Sequence, residues 1–326
     1  MSAPLQDPAS AAPVLEVRDL VTTFDTDGGC LTAVDGVSFQ VRRGRTLGIV
    51  GESGCGKSVT AFSIMRLLPR PMGRIKAGQI LFDGLDLVTA PAEKMLQIRG
   101  GRIGMIFQEP MTALNPVHTI GRQLSEVFLL HRTQDKRAAL EMSVEILRKV
   151  GIPSPEVRIG EYPHQLSGGM RQRVVIADEP TTALDVTIQA QILELMQELQ
   201  DEMGMAIILI THDLGVIAEM CDDVVVMYAG QVAEMGTVER IFNAPAHPYT
   251  RGLLESIPRL EHERKTRLKI IEGMVPSLAD MPAGCRFQNR CPYRTAICNQ
   301  APALETVGTD HQAACHRWRE IPAFTA

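Results

Sequence analysis

Short apolar runs rich in β-branched residues recur along the chain and predict strands. The first five predicted strands are Leu15–Val17, Ala33–Val41, Thr46–Val50, Gly78–Phe82 and Ile103–Phe107. Two later runs, Val174–Ala177 and Ala206–Ile210, are continuously apolar, which is typical of strands buried on both faces of a parallel sheet.

Between these strands the apolar positions recur with the period of a helix. Val59–Leu68 predicts a helix that ends before Pro69, residues 120–150 are helical in period, and Val186–Gln200 predicts another helix. This alternation predicts an α/β core with a partly parallel sheet, interrupted by a mostly helical insertion.

Composition and charge narrow the class of protein. The 326 residues are 45% hydrophobic and 22% charged, as in globular proteins. The net charge of -5 argues against a nucleic-acid-binding role. The apolar runs are strand-sized and fall short of the roughly 18 residues that span a bilayer. Residues 1–13 are rich in Ala, Pro and Ser and predict a disordered tail without the features of a secretory signal.

A glycine-rich segment after the strand Thr46–Val50 predicts a phosphate site. It fits the pattern G-x-x-x-x-G-K-S and consists of Gly51, Glu52, Ser53, Gly54, Cys55, Gly56, Lys57 and Ser58. Backbone N–H groups of such a loop surround phosphate oxygens, Lys57 reaches the β- and γ-phosphates, and Ser58 ligates Mg²⁺. The alternative, a glycine-rich turn that binds nothing, is disfavoured by the strand before the loop and the helix after it.

Two carboxylates follow the predicted buried strand Val174–Ala177. Asp178 is suited to a Mg²⁺ contact, and Glu179 to polarising the attacking water. A solvated strand end is the alternative interpretation, which the phosphate loop makes less attractive.

The segment Leu166 to Met170 resembles the signature of ATP-binding cassette (ABC) ATPases. The resemblance implies that Ser167, Gly168 and Gly169 face the γ-phosphate held by a partner subunit. It also implies the fold class: an α/β P-loop ABC ATPase cassette with a mixed sheet and a helical insertion, plus a small Cys-rich C-terminal extension.

Further positions resemble the remaining parts of the ABC cassette in the family's order. Phe24 is similar to the aromatic residue that stacks on adenine, and Gln108 to the Q-loop glutamine that touches Mg²⁺ and contacts the membrane subunit. Asp185 matches the D-loop, and His212 the switch histidine at the γ-phosphate. ATP and Mg²⁺ are the implied ligands.

Three segments resemble one branch of this family, the oligopeptide and dipeptide importers. They are Thr46–Ser58, Phe107–Pro116 and His247–Leu254. The resemblance implies an ATPase that energises peptide import from the cytoplasmic face of the inner membrane. Implied partners are two transmembrane permease subunits, a second ABC ATPase subunit and an extracytoplasmic peptide-binding protein, with no nucleic acid. A soluble ABC protein acting on nucleic acid is the disfavoured alternative.

These assignments divide the chain into three parts. Residues 1–13 are the tail, residues 14–245 the cassette with a helical subdomain at about 109–170, and residues 246–326 a C-terminal extension of the oligopeptide-transporter type.

Four of the seven cysteines crowd into the C-terminal extension. Five, six and sixteen residues separate Cys285, Cys291, Cys298 and Cys315 in turn. Four thiolates can hold a [4Fe–4S] cluster or one Zn²⁺. The resemblance to peptide importers implies the cluster, while zinc and unligated thiols remain as alternatives.

The signature and the carboxylates are unusually close in sequence. Gly169 and Asp178 are nine positions apart, too few for both a three-turn helix and a buried strand. The segment is shorter than the family pattern. It therefore raises an alternative function, a cassette that binds nucleotide but hydrolyses it poorly or not at all.

Overall fold

A computed structural model describes residues 12–106, 114–167, 170, 186–257 and 270–324. The chain divides into two compact units. The first unit comprises residues 1–89 and 203–326, and the second comprises residues 90–202.

Two sheets form the framework of the first unit. Its described strands are β1 (Leu15–Thr26), β2 (Gly29–Val41), β3 (Thr46–Val50), β4 (Gly73–Phe82), β5 (Leu85–Asp86), β6 (Ile207–Ile210), β7 (Asp223–Tyr228), β8 (Gln231–Thr237), β9 (Glu305–Gly308) and β10 (His311–Ala313). One sheet is antiparallel with the order β2-β1-β4-β5, and the other has the order β6-β3-β7-β8-β10-β9.

The six-stranded sheet is mixed and holds the buried centre of the unit. β3 runs parallel to both β6 and β7, whereas β8, β10 and β9 continue the sheet in antiparallel fashion. Every residue of β3 is buried, in accord with its unbroken run of short and apolar side chains. Val50, Val224 and Val226 join a core cluster that includes Tyr249 and Phe287.

Helices of the first unit connect and cover these strands. They are α1 (Lys57–Ile64), α7 (Leu214–Met220), α8 (Val238–Asn243) and α9 (Pro248–Glu255). Each of the last three begins at a side chain that accepts a backbone N–H, namely Asp213, Thr237 and His247.

The second unit is mainly helical. Its described helices are α2 (Ala92–Ile98), α3 (Ile120–His131), α4 (Lys136–Lys149), α5 (Pro155–Arg158) and α6 (Val186–Met203), the last of which ends one residue beyond the unit. Ile120, Leu147, Val150, Ile152 and Leu166 form its buried cluster.

Several sequence predictions are confirmed at the level of elements. The strand Thr46–Val50 has the predicted bounds, and the predicted strand Ala206–Ile210 is β6, which pairs in parallel with β3. The helical region 120–150 is two helices rather than one, because Asp135 caps a new helix by accepting the N–H of Arg137.

Other predictions fail or lie outside the described residues. The strand predicted at Ile103–Phe107 is wrong for its described part, where Ile103 forms one isolated bridge with Arg99 and residues 104–106 have no regular structure. The predicted strand Val174–Ala177 and the short segment before Asp178 lie outside the described residues.

The C-terminal residues add two strands that the sequence did not indicate. β10 pairs with β8 of the mixed sheet, and β9 pairs with β10. A buried side-chain hydrogen bond reinforces this junction, since Nε2 of His311 lies 2.6 Å from Oε1 of Glu234, whose side chain is wholly buried. The C-terminal strands therefore belong to the same sheet as β3.

Within the described ranges, no helix combines the length and apolar character that crossing a bilayer requires.

His247 gives the fold a predicted dependence on pH. Its Nδ1 accepts the N–H of Tyr249 at the start of α9, and burial lowers the pKa of His247 to about 4. In the unfolded chain, His247 therefore binds a proton below about pH 6.5. In the folded chain, it binds one only below about pH 4. This histidine should cost about 3 kcal/mol of folding stability as the pH falls from 7 to 4.

Replacing His247 by Asn keeps a capping acceptor and removes the titrating ring. We expect urea unfolding of His247→Asn to depend less on pH between 7 and 4 than the wild type does. The same change at the exposed His164 is the control. Equal pH slopes for wild type and His247→Asn would contradict the assignment.

Candidate nucleotide site

The candidate site is the loop between β3 and α1. β3 ends at Val50, α1 begins at Lys57, and Gly51, Gly54 and Gly56 all have positive φ values, of 155°, 78° and 101°. The strand–loop–helix context that the motif requires is therefore present.

Two of these glycines are needed because the backbone passes close to its neighbours. A Cβ at Gly51 would lie 2.2 Å from the carbonyl oxygen of Met227, and one at Gly56 would lie 2.7 Å from that of Ala33. At Gly54 a Cβ would meet nothing within 4 Å. The loop is thus seated against β2 and β7 on one side and open at its tip.

Lys57 closes the loop with hydrogen bonds. Its Nζ donates to the carbonyl oxygens of Gly51 at 2.7 Å and Glu52 at 3.2 Å, and lies 3.7 Å from Sγ of Cys55. Cys55 is buried, which raises the pKa of its thiol and keeps it neutral. Ser53, Gly54 and Ser58 are exposed, so the side of the loop predicted to bind phosphate and Mg²⁺ is accessible.

His212 lies at the same edge of the sheet. Ile49 of β3 is paired with Ile210 of the parallel β6, so the chain leaves both strands at their carboxyl ends. Thr211 donates its N–H to the carbonyl oxygen of Ile49 at 3.3 Å, and the next residue, His212, is exposed. The structure therefore brings the loop and the predicted switch histidine to one edge, where ligands of parallel sheets bind.

The other predicted site residues are more dispersed or not described. Phe24 lies on β1 opposite Gly73, and a Cβ at Gly73 would be 3.0 Å from its ring. Ser167, in the second unit, is exposed and accepts the N–H of Met170 at 3.3 Å. Outside the described residues lie Gln108, Gly168, Gly169, Asp178, Glu179 and Asp185.

Two residues at the loop were missed by sequence reasoning. The N–H of Glu52 donates to Oη of Tyr249 at 2.8 Å, and the carboxylate of Glu52 forms an ion pair with Arg290 at 2.6 Å. Tyr249 belongs to a segment already noted for its family resemblance, but no local signal in the sequence marks Arg290.

The four C-terminal cysteines line one small cavity. Cys285, Cys291, Cys298 and Cys315 all line it. Burial raises the pKa of Cys285 and Cys291, and that of Cys315 to about 11, so these thiols stay protonated without a cation. Among the described residues, no group of three or more His, Cys, Asp or Glu side chains is arranged to hold a metal ion.

Comparison with known proteins identifies the family. A family profile described as ABC transporter matches residues 34–188, and one described as oligopeptide/dipeptide transporter, C-terminal region, matches residues 233–298. The oligopeptide transport ATP-binding protein OppD of Salmonella typhimurium is 48% identical, over 96% of this chain and 96% of its own length. The chain belongs to the ABC transporter family of ATP-binding proteins. As the sequence predicted, it is an ATP-hydrolysing cassette coupled to transport.

Other relatives of this ABC ATPase agree. The dipeptide transport ATP-binding protein DppD of Bacillus subtilis is 51% identical over 93% of this chain and 94% of its own. A peptide import ATP-binding protein of Brucella melitensis is 51% identical over 96% of this chain and 100% of its own length. The comparisons give no support to the alternative of impaired hydrolysis.

Solved structures agree with the fold of this ABC ATPase. A dimeric bacterial ABC transporter cassette matches with a TM-score of 0.60 and 23% identity, over 69% of this chain and 98% of that one. The ABC transporter component cbiO1 from Clostridium perfringens matches with a TM-score of 0.59 and 26% identity, over 71% of this chain and 91% of its own.

The close approach at Gly51 predicts a specific loss of nucleotide binding. Gly51→Ala would place a methyl group against the carbonyl of Met227, so the start of the loop must shift. We expect affinity for MgATP, measured by calorimetry, to fall at least tenfold. Gly44→Ala is the matched control, because Gly44 also has a positive φ but open space around it. Similar affinities for both variants would show that this approach does not shape the loop.

Proposed function

We propose that this chain is the ATP-hydrolysing subunit that energises peptide import through an ABC transporter. One observation carries the proposal: the phosphate loop and His212 follow neighbouring parallel strands at one sheet edge, in a chain about half identical to oligopeptide and dipeptide transport ATP-binding proteins.

The proposal assigns each predicted residue a part in ATP hydrolysis. The loop amides and Lys57 neutralise the phosphates, and Ser58, Gln108 and Asp178 hold Mg²⁺, which offsets phosphate charge when bound. Glu179 accepts a proton from the attacking water, and His212 contacts the γ-phosphate. Phe24 stacks on adenine. Four further residues complete a nucleotide site together with a second subunit: Ser167, Gly168, Gly169 and Asp185.

Transport requires partners in this proposal. Two transmembrane permease subunits supply the path, a second ABC ATPase subunit completes the nucleotide sandwich, and an extracytoplasmic binding protein delivers the peptide. The chain would then act as a peripheral subunit on the cytoplasmic face of the inner membrane. The proposal also divides the chain into a tail of residues 1–13, a cassette of residues 14–245 and a C-terminal extension of residues 246–326.

We further propose that the cavity lined by Cys285, Cys291, Cys298 and Cys315 is the site of a [4Fe–4S] cluster. A tetrahedral zinc ion is the alternative occupant for the same four thiols. A cluster is larger, uses four thiolates, and would offset the cost of ionising buried thiols. The convergence of all four cysteines on one cavity supports the proposal.

ATP turnover with transport tests the main proposal. In proteoliposomes with the permeases and binding protein, we expect Glu179→Gln to retain ATP binding and lose hydrolysis and peptide uptake. Lys57→Ala should lose binding as well, while Lys76→Ala, at an exposed lysine on β4, should behave as wild type. Uptake of a nickel chelate or glutathione instead of peptides would reject the assigned cargo.

Chemical analysis tests the cysteine site separately. After anaerobic purification we expect about four irons and four sulfides per chain, with visible absorbance. Cys315→Ser should lose both, whereas Cys30→Ser, at an exposed and isolated cysteine, should not. Stoichiometric zinc, or neither metal, would contradict the cluster.

A further inference from the structure

Glu52, the second residue of the phosphate loop, is held through all of its polar groups. Its N–H donates to Oη of Tyr249, and its carbonyl oxygen accepts Nζ of Lys57 at 3.2 Å. Its carboxylate accepts two N–H groups of Arg290, with Nη1–Oε2 at 2.6 Å and Nη2–Oε1 at 3.0 Å. This is the bidentate geometry in which arginine binds a carboxylate most specifically.

Arg290 is itself fixed in place. Its guanidinium has five N–H donors, and five acceptors surround it: both carboxylate oxygens of Glu52, Oη of Tyr228, and the carbonyl oxygens of Ile271 and Glu272. The Arg290 side chain is 4% exposed, and its Cζ lies 5.8 Å from the centre of the Tyr228 ring. A side chain so completely bonded holds its partner in one orientation.

Tyr249 supports the loop from the same side. It is completely buried, and its ring packs against Tyr228 and Phe287 with centroids 4.7 and 5.4 Å apart. Its hydroxyl accepts the Glu52 N–H, so that amide is bonded to Tyr249 rather than available to phosphate. Tyr249 and Arg290 therefore fix the backbone and the side chain of one loop residue.

The charge of Glu52 makes this arrangement matter for nucleotide binding. A carboxylate inside a phosphate loop repels the negatively charged polyphosphate of ATP. Pairing with Arg290 neutralises the charge of the carboxylate and holds it against the C-terminal residues.

We propose that Arg290 is a positioning residue for nucleotide binding, which acts by holding and neutralising Glu52 in the phosphate loop. Tyr249 is its companion, since it orients the amide of the same residue. The inference rests on the proposed ATPase function and adds a role for the C-terminal residues in it.

The purified full-length chain can test this with MgATP affinity by calorimetry and with KM and kcat. We expect Arg290→Met to weaken ATP binding about tenfold with less than a twofold change in kcat. AMP binding should weaken far less, because it carries less phosphate charge. Arg290→Lys, which keeps the charge but loses the bidentate fork, should fall in between.

The decisive variant removes the charge that Arg290 is inferred to neutralise. Adding Glu52→Gln to Arg290→Met should restore ATP affinity to within about threefold of wild type, which the loss of a purely structural contact would not allow. Arg294→Met is the matched control, because Arg294 is exposed and bonds to Asn299 rather than to the loop.

Each outcome is informative. If wild type binds ATP and Arg290→Met behaves as Arg294→Met, or if Glu52→Gln fails to rescue, the inference is wrong while the ATPase function stands. If Arg290→Met does not fold, Arg290→Lys with and without Glu52→Gln makes the same comparison. Absence of ATP binding by wild type would instead reject the proposed function.

Discussion

The parallel pairing of β3 with β6 and β7 is the constraint on which the rest of the structure depends. β3 is buried throughout and occupies the middle of three parallel strands, so its register is set from both sides. The pair Ile49 and Ile210 aligns the ends of two strands, and the phosphate loop and His212 follow from those ends. A slip of this register would displace both groups together, because one residue of shift turns every side chain to the opposite face.

The loop depends on its surroundings as much as on its own glycines. Its first residue, Gly51, fits against a carbonyl of β7, and Gly56 fits against one near the middle of β2. Glu52 is held by Tyr249 and Arg290, which lie 197 and 238 residues away in the sequence. The geometry that presents amides to phosphate is therefore imposed by strands and helices from distant parts of the chain.

The elements most accessible from the sequence were those with a strong local signal. The sequence predicts β3 from the apolar run Thr46–Val50 and the phosphate loop from its eight-residue motif. It predicts α6 from the helical spacing of its apolar residues. β9 and β10 have no such signal, because these short strands exist through pairing, β10 with β8 and β9 with β10, rather than through a pattern of their own. Arg290 could not be predicted either, since an ion pair between residues so far apart leaves no trace in either neighbourhood.

The edge of β8 has a further consequence for the whole protein. Without β10, residues 234–236 of β8 would lose their strand partner on the side opposite β7, and the wholly buried Glu234 would lose His311. Unpaired strand edges recruit other chains, which leads to aggregation. The C-terminal strands thus also protect solubility, and a chain shortened before residue 305 would tend to self-associate even with every nucleotide-binding residue intact.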